Sequence, residues 1–340
     1  MAIRVLTVDD SILFRTIIKN EFAKIDDIDI IDTAANAKEA EEKIMRLNPD
    51  VVTMDVEMPG MNGIDFIRSF IPKKRVPFIV ITSSPTRAFD AVSAGAVEFM
   101  KKPLAQSTAE MDAFAERLAS IIRFSAKANV RHTPTRPISV PSKSLDLPTG
   151  GRLNSVIALG ASTGGTEALI EVVKKLPANS PPVVIVQHMP AGFTQMYAER
   201  LNRICKMNCK EAEDGDRLRP GLIIIGAGGY HLRLQKDARG YYVSSKPGEK
   251  VSGHCPSVDV LFESVAENAG NRAVGAILTG MGADGAEGLL KMRQAGAYTI
   301  GQDEATCVVY GMPCVAFKNG AVMKQLPLDR IAEEIISKVR

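Results

Sequence analysis

At 340 residues the chain exceeds what one hydrophobic core usually supports, so two domains are the first expectation. With 45% hydrophobic residues, 24% charged residues and a net charge of +3, it has a globular composition that gives no case for binding nucleic acid or a membrane surface. No apolar run approaches a membrane span, and the five cysteines (Cys205, Cys209, Cys255, Cys307, Cys314) form no C-x-x-C pair, so the expectation is a cytoplasmic protein with reduced thiols, without zinc or a redox dithiol.

In chain order, short apolar runs at 3–8, 29–34, 51–54, 78–82 and 97–100 alternate with amphipathic stretches such as 36-NAKEAEEKIMRL-47. This alternation predicts a five-stranded, parallel, doubly wound α/β domain over residues 1–124. Residues 125–151 are rich in proline, serine and threonine and predict an extended linker, because proline fixes φ and removes backbone donors. A second doubly wound α/β domain is predicted over 152–340, with strands at 156–159, 183–187, 222–226, 231–235, 241–245 and 274–278. Its helices fall near 166–175, 193–204, 256–268 and 285–295. The runs 231–235 and 241–245 flank 236-KDARG-240, a hairpin signal, so a mixed sheet is predicted here.

Ligand sites in open α/β sheets form at the carboxyl ends of the strands. In the first domain Asp9 and Asp10 follow the first strand and Asp55 the third. Bunched carboxylates raise one another's pKa unless a cation joins them, and an oxygen-only set suits Mg²⁺. Thr82 ends the fourth strand and Lys102 follows the fifth. An acid nucleophile, a metal, a hydroxyl and a lysine together suit phosphoryl transfer onto aspartate. Taken alone, the Asp9–Asp10 pair also reads as helix-capping acid.

The segments TVDDS at 7–11, MDVEMPGMNG at 54–63, ITSS at 81–84 and KKP at 101–103 resemble the receiver domain of two-component response regulators, over essentially all of residues 1–124. The resemblance implies that Asp55 is the phosphoacceptor, with Asp9 and Asp10 as metal acids beside it. It implies Thr82 as the switch hydroxyl, Lys102 as the phosphate-contacting lysine and Phe99 at the position of a rotating aromatic. A histidine kinase would be the phosphodonor.

In the second domain GASTG at 160–164 fits G-x-S-x-G between a predicted strand and a predicted helix, a turn that exposes the Ser162 hydroxyl. Small-residue turns also cradle phosphates, although G-x-G-x-x-G is absent. Among the four histidines, His132 lies in the linker and His231 in the hairpin. His188 ends 183-VVIVQHMP-190 on the same carboxyl edge as Ser162 and ranks first as its base; His254, just ahead of a helix, is the second candidate. Asp284, in the glycine-rich turn of 274-VGAILTGMGADGAEGLL-290, is placed to orient the imidazole, or to cap a helix; Asp259 and Asp303 are weaker candidates. The order Ser–His–Asp differs from the Ser–Asp–His of α/β-hydrolases.

GASTGG, QHMP, GHCPSVDVLFESVA and LTGMGADGAEGL resemble the catalytic domain of the chemotaxis protein-glutamate methylesterase (CheB) family from about 153 to 338. The resemblance implies a Ser162–His188–Asp284 triad and an oxyanion region at the backbone near Thr163 and Met281. It implies methylated glutamates of chemoreceptors as substrates and deamidation of receptor glutamines as a second activity; no cofactor is expected for the esterase, and a receiver joined to a hydrolase through a linker is expected to restrain it until phosphorylated. A monomer is expected. Two competing readings stay in view: a DNA-binding regulator, which needs a basic recognition helix not visible here, and a nucleotide-binding regulator that uses GASTGG as a phosphate cradle.

Overall fold

The computed structural model describes residues 2–103, 107–126 and 155–339. The chain divides into two compact units, residues 1–136 and 137–340.

In the first unit, strands β1 (Ile3–Val8), β2 (Ile28–Ala34), β3 (Val51–Asp55), β4 (Phe78–Thr82) and β5 (Glu98–Lys101) alternate with helices α1 (Ile12–Phe22), α2 (Ala37–Leu47), α3 (Gly63–Phe70), α4 (Pro85–Ser93) and α5 (Thr108–Ser125). The strands pair in parallel in the order β2-β1-β3-β4-β5. Every residue of β3 and β4 is buried, as expected for strands covered by helices on both faces. Phe14, Ile18 and Phe22 of α1 close one side of the sheet with Phe114, Leu118 and Ile122 of α5. Local chemistry sets the helix starts: the Asn36 side chain accepts the Glu39 N–H at 3.0 Å, and Glu39 reaches back to the Ala35 N–H at 3.1 Å. The order of the strands reverses between β1 and β3, so the loop after β1, which carries Asp9, and the loop that follows Asp55 at the end of β3 part there and open a crevice. Helix α5 takes in Ser125, the first position of the expected linker; residues 127–151 lie outside the described residues.

The second unit contains β6 (Val156–Ala161), α6 (Gly165–Val173), β7 (Val183–Gln187), α7 (Phe193–Ile204), β8 (Asn208–Glu211), β9 (Leu222–Ile225), β10 (Tyr230–Asp237) and β11 (Gly240–Pro247). It continues with α8 (Val258–Asn268), β12 (Ala273–Ile277), α9 (Ala286–Gln294), β13 (Tyr298–Gln302), α10 (Met312–Lys318), β14 (Lys324–Leu326) and α11 (Leu328–Lys338). A seven-stranded sheet runs β14-β13-β12-β6-β7-β9-β8, and each of its pairings is parallel. The expected mixed sheet is therefore corrected. The hairpin β10–β11 forms, but as a separate antiparallel sheet. Strand β11 buries alternate residues and β10 buries His231, Leu232 and Leu234, and Leu232, Leu234 and Val243 join a cluster with Leu261 and Val265 of α8. A ribbon with one wet face can lie on a helix outside the sheet, whereas β6, β7 and β12 are buried throughout and occupy its centre. The chain leaves β6 for β7 on one side and later returns to β12 on the other, which puts the switch point between β6 and β12.

Candidate functional sites in the two units

The crevice of the first unit gathers the expected acids. Asp9 and Asp55 are 1% and 4% exposed, Asp10 is exposed, and one oxygen of each lies within 4.8 Å of the others. The Lys102 ammonium donates to Asp9 Oδ2 and Asp55 Oδ2, each at 2.6 Å, and lies 4.6 Å from the centroid of the Phe14 ring. Burial raises the Asp9 pKa to about 6 and the Asp55 charge adds to this, while hydrogen bonds from Lys102 and the Ser11 N–H pull the other way. For Lys102, burial alone would lower the pKa, but its hydrogen bonds to Asp55 and Asp9 outweigh it and the pKa is raised. The acids thus sit where positive charge is required, and one of them stays open to water. An all-oxygen set of this kind fits a hard divalent ion such as Mg²⁺, which keeps several waters. Thr82 is fully buried at the end of β4, and its Oγ1 accepts the Ser84 N–H at 3.1 Å. Phe99 is turned inward and packs edge-on against Phe89, with centroids 5.6 Å apart.

In the second unit the switch point organises the polar residues. Ser162 follows β6, His188 follows β7 and Asp284 lies in the loop after β12. The β6–β7 register pairs Ala161 with Gln187, and the His188 N–H donates to the Ala161 carbonyl at 3.3 Å, which brings His188 alongside Ser162. The turn after β6 needs small residues. Gly164 has φ +73°, and a Cβ there would strike Val308. A Cβ on Gly280 would run into Met312 Sδ and lie 2.8 Å from the Ser162 Cβ. The glycine-rich loop after β12 can therefore close onto the serine turn, and the Ser162 N–H donates to the Thr279 carbonyl at 3.0 Å. Neither the Thr163 nor the Met281 N–H donates a hydrogen bond among the described residues.

His188 Nε2 and Asp284 Oδ2 are 2.7 Å apart, with side-chain exposures of 4% and 1%. Asp284 also accepts the Ser257 hydroxyl at 2.7 Å and the N–H groups of Val258 at 2.7 Å and Asp259 at 3.1 Å. Burial acts to raise the Asp284 pKa, but the bonds from His188, Ser257 and Val258 prevail and hold it at about 2. A carboxylate at Oδ2 requires that Nε2 carry the proton, so the neutral imidazole keeps its lone pair on Nδ1. That nitrogen is buried and has no partner among the described residues. The ring faces its aspartate in the opposite sense to that of the chymotrypsin triad, where Nδ1 meets the aspartate.

The other candidates are placed differently. The His254 ring stacks on His188, with centroids 3.7 Å apart and planes 9° apart, and its Nδ1 donates to the Ser252 carbonyl at 2.8 Å. Although atoms of His188, His254 and Asp284 lie within 4.8 Å of one another, parallel rings share no in-plane point where both could bind a metal. His231 is in the hairpin and contacts the Glu249 carbonyl at 2.7 Å. Asp259 caps α9 through the Gly288 N–H at 2.8 Å; burial, with the Asp284 charge adding, raises its pKa to about 6. Asp303 turns onto Thr306 at 2.6 Å. The sequence reading gave no role to Ser257, which caps α8 and holds Asp284 at once, nor to Gln187, which donates to the Ser162 carbonyl at 2.9 Å. The N-cap pattern at 257-SVDV-260 signals the helix start, but no sequence pattern shows that Ser257 meets an acid from another loop.

Comparison with known proteins agrees with both halves. The CheB methylesterase family model matches residues 157–335, and the response regulator receiver domain model matches residues 5–111. Protein-glutamate methylesterase/protein-glutamine glutaminase 2 of Syntrophomonas wolfei is 47% identical over 333 residues, covering 98% of this chain and 96% of its own. An Escherichia coli protein-glutamate methylesterase/protein-glutamine glutaminase is 43% identical over 343 residues, covering 99% and 97%. The solved Thermotoga maritima CheB methylesterase catalytic domain superposes with a TM-score of 0.53 at 37% identity, over 54% of this chain and 98% of that one. With a receiver ahead of a catalytic unit of this kind, and such relatives along nearly its whole length, the chain belongs to the CheB methylesterase family.

Proposed function

We propose that the protein is a phosphorylation-controlled serine esterase that hydrolyses glutamate methyl esters on chemoreceptors, releasing methanol. The observation that carries this reading is the buried Asp284–His188 pair, whose free Nδ1 belongs to a residue aligned with Ser162 across β6 and β7. Ser162 Oγ attacks the ester carbonyl while His188 Nδ1 takes its proton. Asp284 stabilises the imidazolium, and the N–H groups of Thr163 and Met281 receive the oxyanion. The imidazolium passes its proton to the departing methoxide, which leaves as methanol. Nδ1 then deprotonates a water that attacks the acyl-enzyme, and the proton returns to Ser162 as the glutamate carboxylate departs. A primary amide can enter the same cycle and lose ammonia, in keeping with the glutaminase named in the relatives. Hydrolysis of a small activated ester tests the reading: Ser162→Ala should abolish it, and retained turnover would refute it.

Asp55 is the proposed phosphoacceptor, with a histidine kinase as donor. Asp9, Asp10 and Asp55 would hold Mg²⁺, which when bound supplies positive charge to the phosphoryl oxygens. Once Asp55 carries the phosphoryl group, the Lys102 ammonium, the Thr82 hydroxyl and the Phe99 ring are the groups that readjust. The unphosphorylated receiver restrains the esterase by about 1–3 kcal/mol, a factor of roughly 5–150. The boundaries proposed for this arrangement are a receiver at 1–124, a linker at 125–151 and the catalytic domain at 152–340. No helix among the described residues is long and apolar enough to cross a membrane. The enzyme is proposed to meet its receptors from the cytoplasm, as a monomer.

A further inference from the structure

We propose that Gln187 is a positioning residue for the esterase, holding the peptide group that presents the Thr163 N–H to the oxyanion. The inference rests on the serine-esterase reading above. Gln187 ends β7 and is 3% exposed. Its Nε2 donates to the Ser162 carbonyl at 2.9 Å and, at 3.5 Å, to the His188 carbonyl; the Gly165 N–H donates to the Ser162 oxygen at 2.7 Å. That carbonyl and the Thr163 N–H belong to one planar, trans peptide group, so they point in opposite directions. Two donors on the oxygen fix the plane and aim the N–H away from them. They also polarise the peptide, which strengthens its N–H as a donor. The Thr163 N–H makes no hydrogen bond among the described residues, so it is free to serve the reaction.

This arrangement is expensive to build. Gln187 Oε1 is buried with no partner among the described residues. The amide cannot simply be turned over, because that would set Oε1 against the Ser162 carbonyl, acceptor against acceptor. Gly165 must lack a side chain, since a Cβ there would collide with Oε1. A residue kept only for packing would not need an amide: methionine has a similar shape and leaves no buried acceptor unsatisfied. The amide makes sense as a donor whose short bond goes to the Ser162 peptide, with the His188 carbonyl at the limit of its reach.

The experiment is Gln187→Met in the full-length protein, assayed on a small activated ester. Thermal melting and affinity for a trifluoromethyl ketone that adds to Ser162 are measured alongside. The expected result is a fall in kcat of about 10-fold or more, toward the roughly 10²–10³ seen when an oxyanion donor is lost outright. KM should hardly change, affinity for the ketone should fall in parallel with kcat/KM, and the melting temperature should be unchanged or higher. Should methionine not be accommodated, Gln187→Glu, assayed at alkaline pH where its carboxyl is ionised, also lacks the donor and should show the same kinetic loss. An unchanged kcat, or a lower kcat with undiminished ketone affinity, overturns the proposal. Ser162→Ala separates the two claims. If it is inactive while Gln187→Met is fully active, only the role of Gln187 fails; if Ser162→Ala turns over like the parent, the esterase reading fails with it.

Discussion

Asp284→Asn is the substitution whose consequences follow most fully from the structure. Asp284 Oδ2 receives His188 Nε2 and the Val258 N–H, while Oδ1 receives the Ser257 hydroxyl and the Asp259 N–H. Asparagine offers one oxygen and one NH₂, so one of these positions must turn from acceptor to donor. With NH₂ at the Oδ1 position, the Ser257 hydroxyl can rotate to accept, but the Asp259 N–H faces a donor. With NH₂ at the Oδ2 position, the Val258 N–H is opposed and His188 must accept at Nε2, which moves its proton to Nδ1 and removes the base. Either way one buried backbone N–H is left unsatisfied, at about 1–3 kcal/mol. The pKa gives a similar figure: lowering it from 3.8 to about 2 corresponds to roughly 2–3 kcal/mol of native-state stability at neutral pH.

The sign follows from the direction of the shift. A depressed carboxyl stabilises the fold above its unfolded pKa and loses that contribution as pH falls through its folded value. The stability gap between wild type and Asp284→Asn should therefore be full at pH 7 and close between about pH 4 and pH 2. Urea unfolding at pH 7, 4 and 3 measures the gap, and small-ester hydrolysis at pH 7 measures the catalytic loss. That loss should be about 10²–10⁴ in kcat, the upper end corresponding to a wrong tautomer. Wild-type kcat in the variant, or a gap that widens on acidification, would refute the reasoning.

Three further outcomes are expected. His188→Ala should lose about 10²-fold or more in kcat, and adding Ser162→Ala should cost little further because the two act as a unit; normal turnover in His188→Ala with loss in His254→Ala would mean that the wrong imidazole was chosen. Asp55→Asn should take no label from a small phosphodonor and should leave esterase activity unresponsive to it, whereas the parent should require Mg²⁺; equal labelling with and without chelator would remove the metal from the account. Gly280→Ala should lower kcat by about 10-fold or more because its methyl group presses on the Ser162 backbone as well as on the movable Met312 side chain, and the kinetics of the purified variant check this.

Much of this architecture is visible in the sequence because buried parallel strands are unbroken apolar runs. VVTMD, FIVIT and VVIVQ could hardly be anything else, and polar residues that follow such runs fall on one edge of the sheet. That logic brings Asp9 and Asp55 together in one unit, and Ser162, His188 and Asp284 to one edge of the sheet in the other. It cannot detect β8 and β14, whose sequences NCKE and KQL are short, polar and at the sheet edges. It finds the hairpin but wrongly adds it to the main sheet. Alternation in YHLRLQKD shows one buried face, but not that the face lies on α8. Side-chain roles set by distant loops are the least legible. Ser257 looks like a helix cap and Gln187 like a strand end. Their partners, Asp284 and the Ser162 carbonyl, are 27 and 25 residues away.

The central claim is that Ser162 attacks a methyl ester on a receptor and that phosphorylation of Asp55 releases it to do so. Methanol release from methyl-labelled chemoreceptor, with and without a small phosphodonor and Mg²⁺, tests it most directly. The intact protein should release label several-fold faster with phosphodonor, Asp55→Asn should show no stimulation, and Ser162→Ala should release none. Release by Ser162→Ala at the wild-type rate would contradict the account.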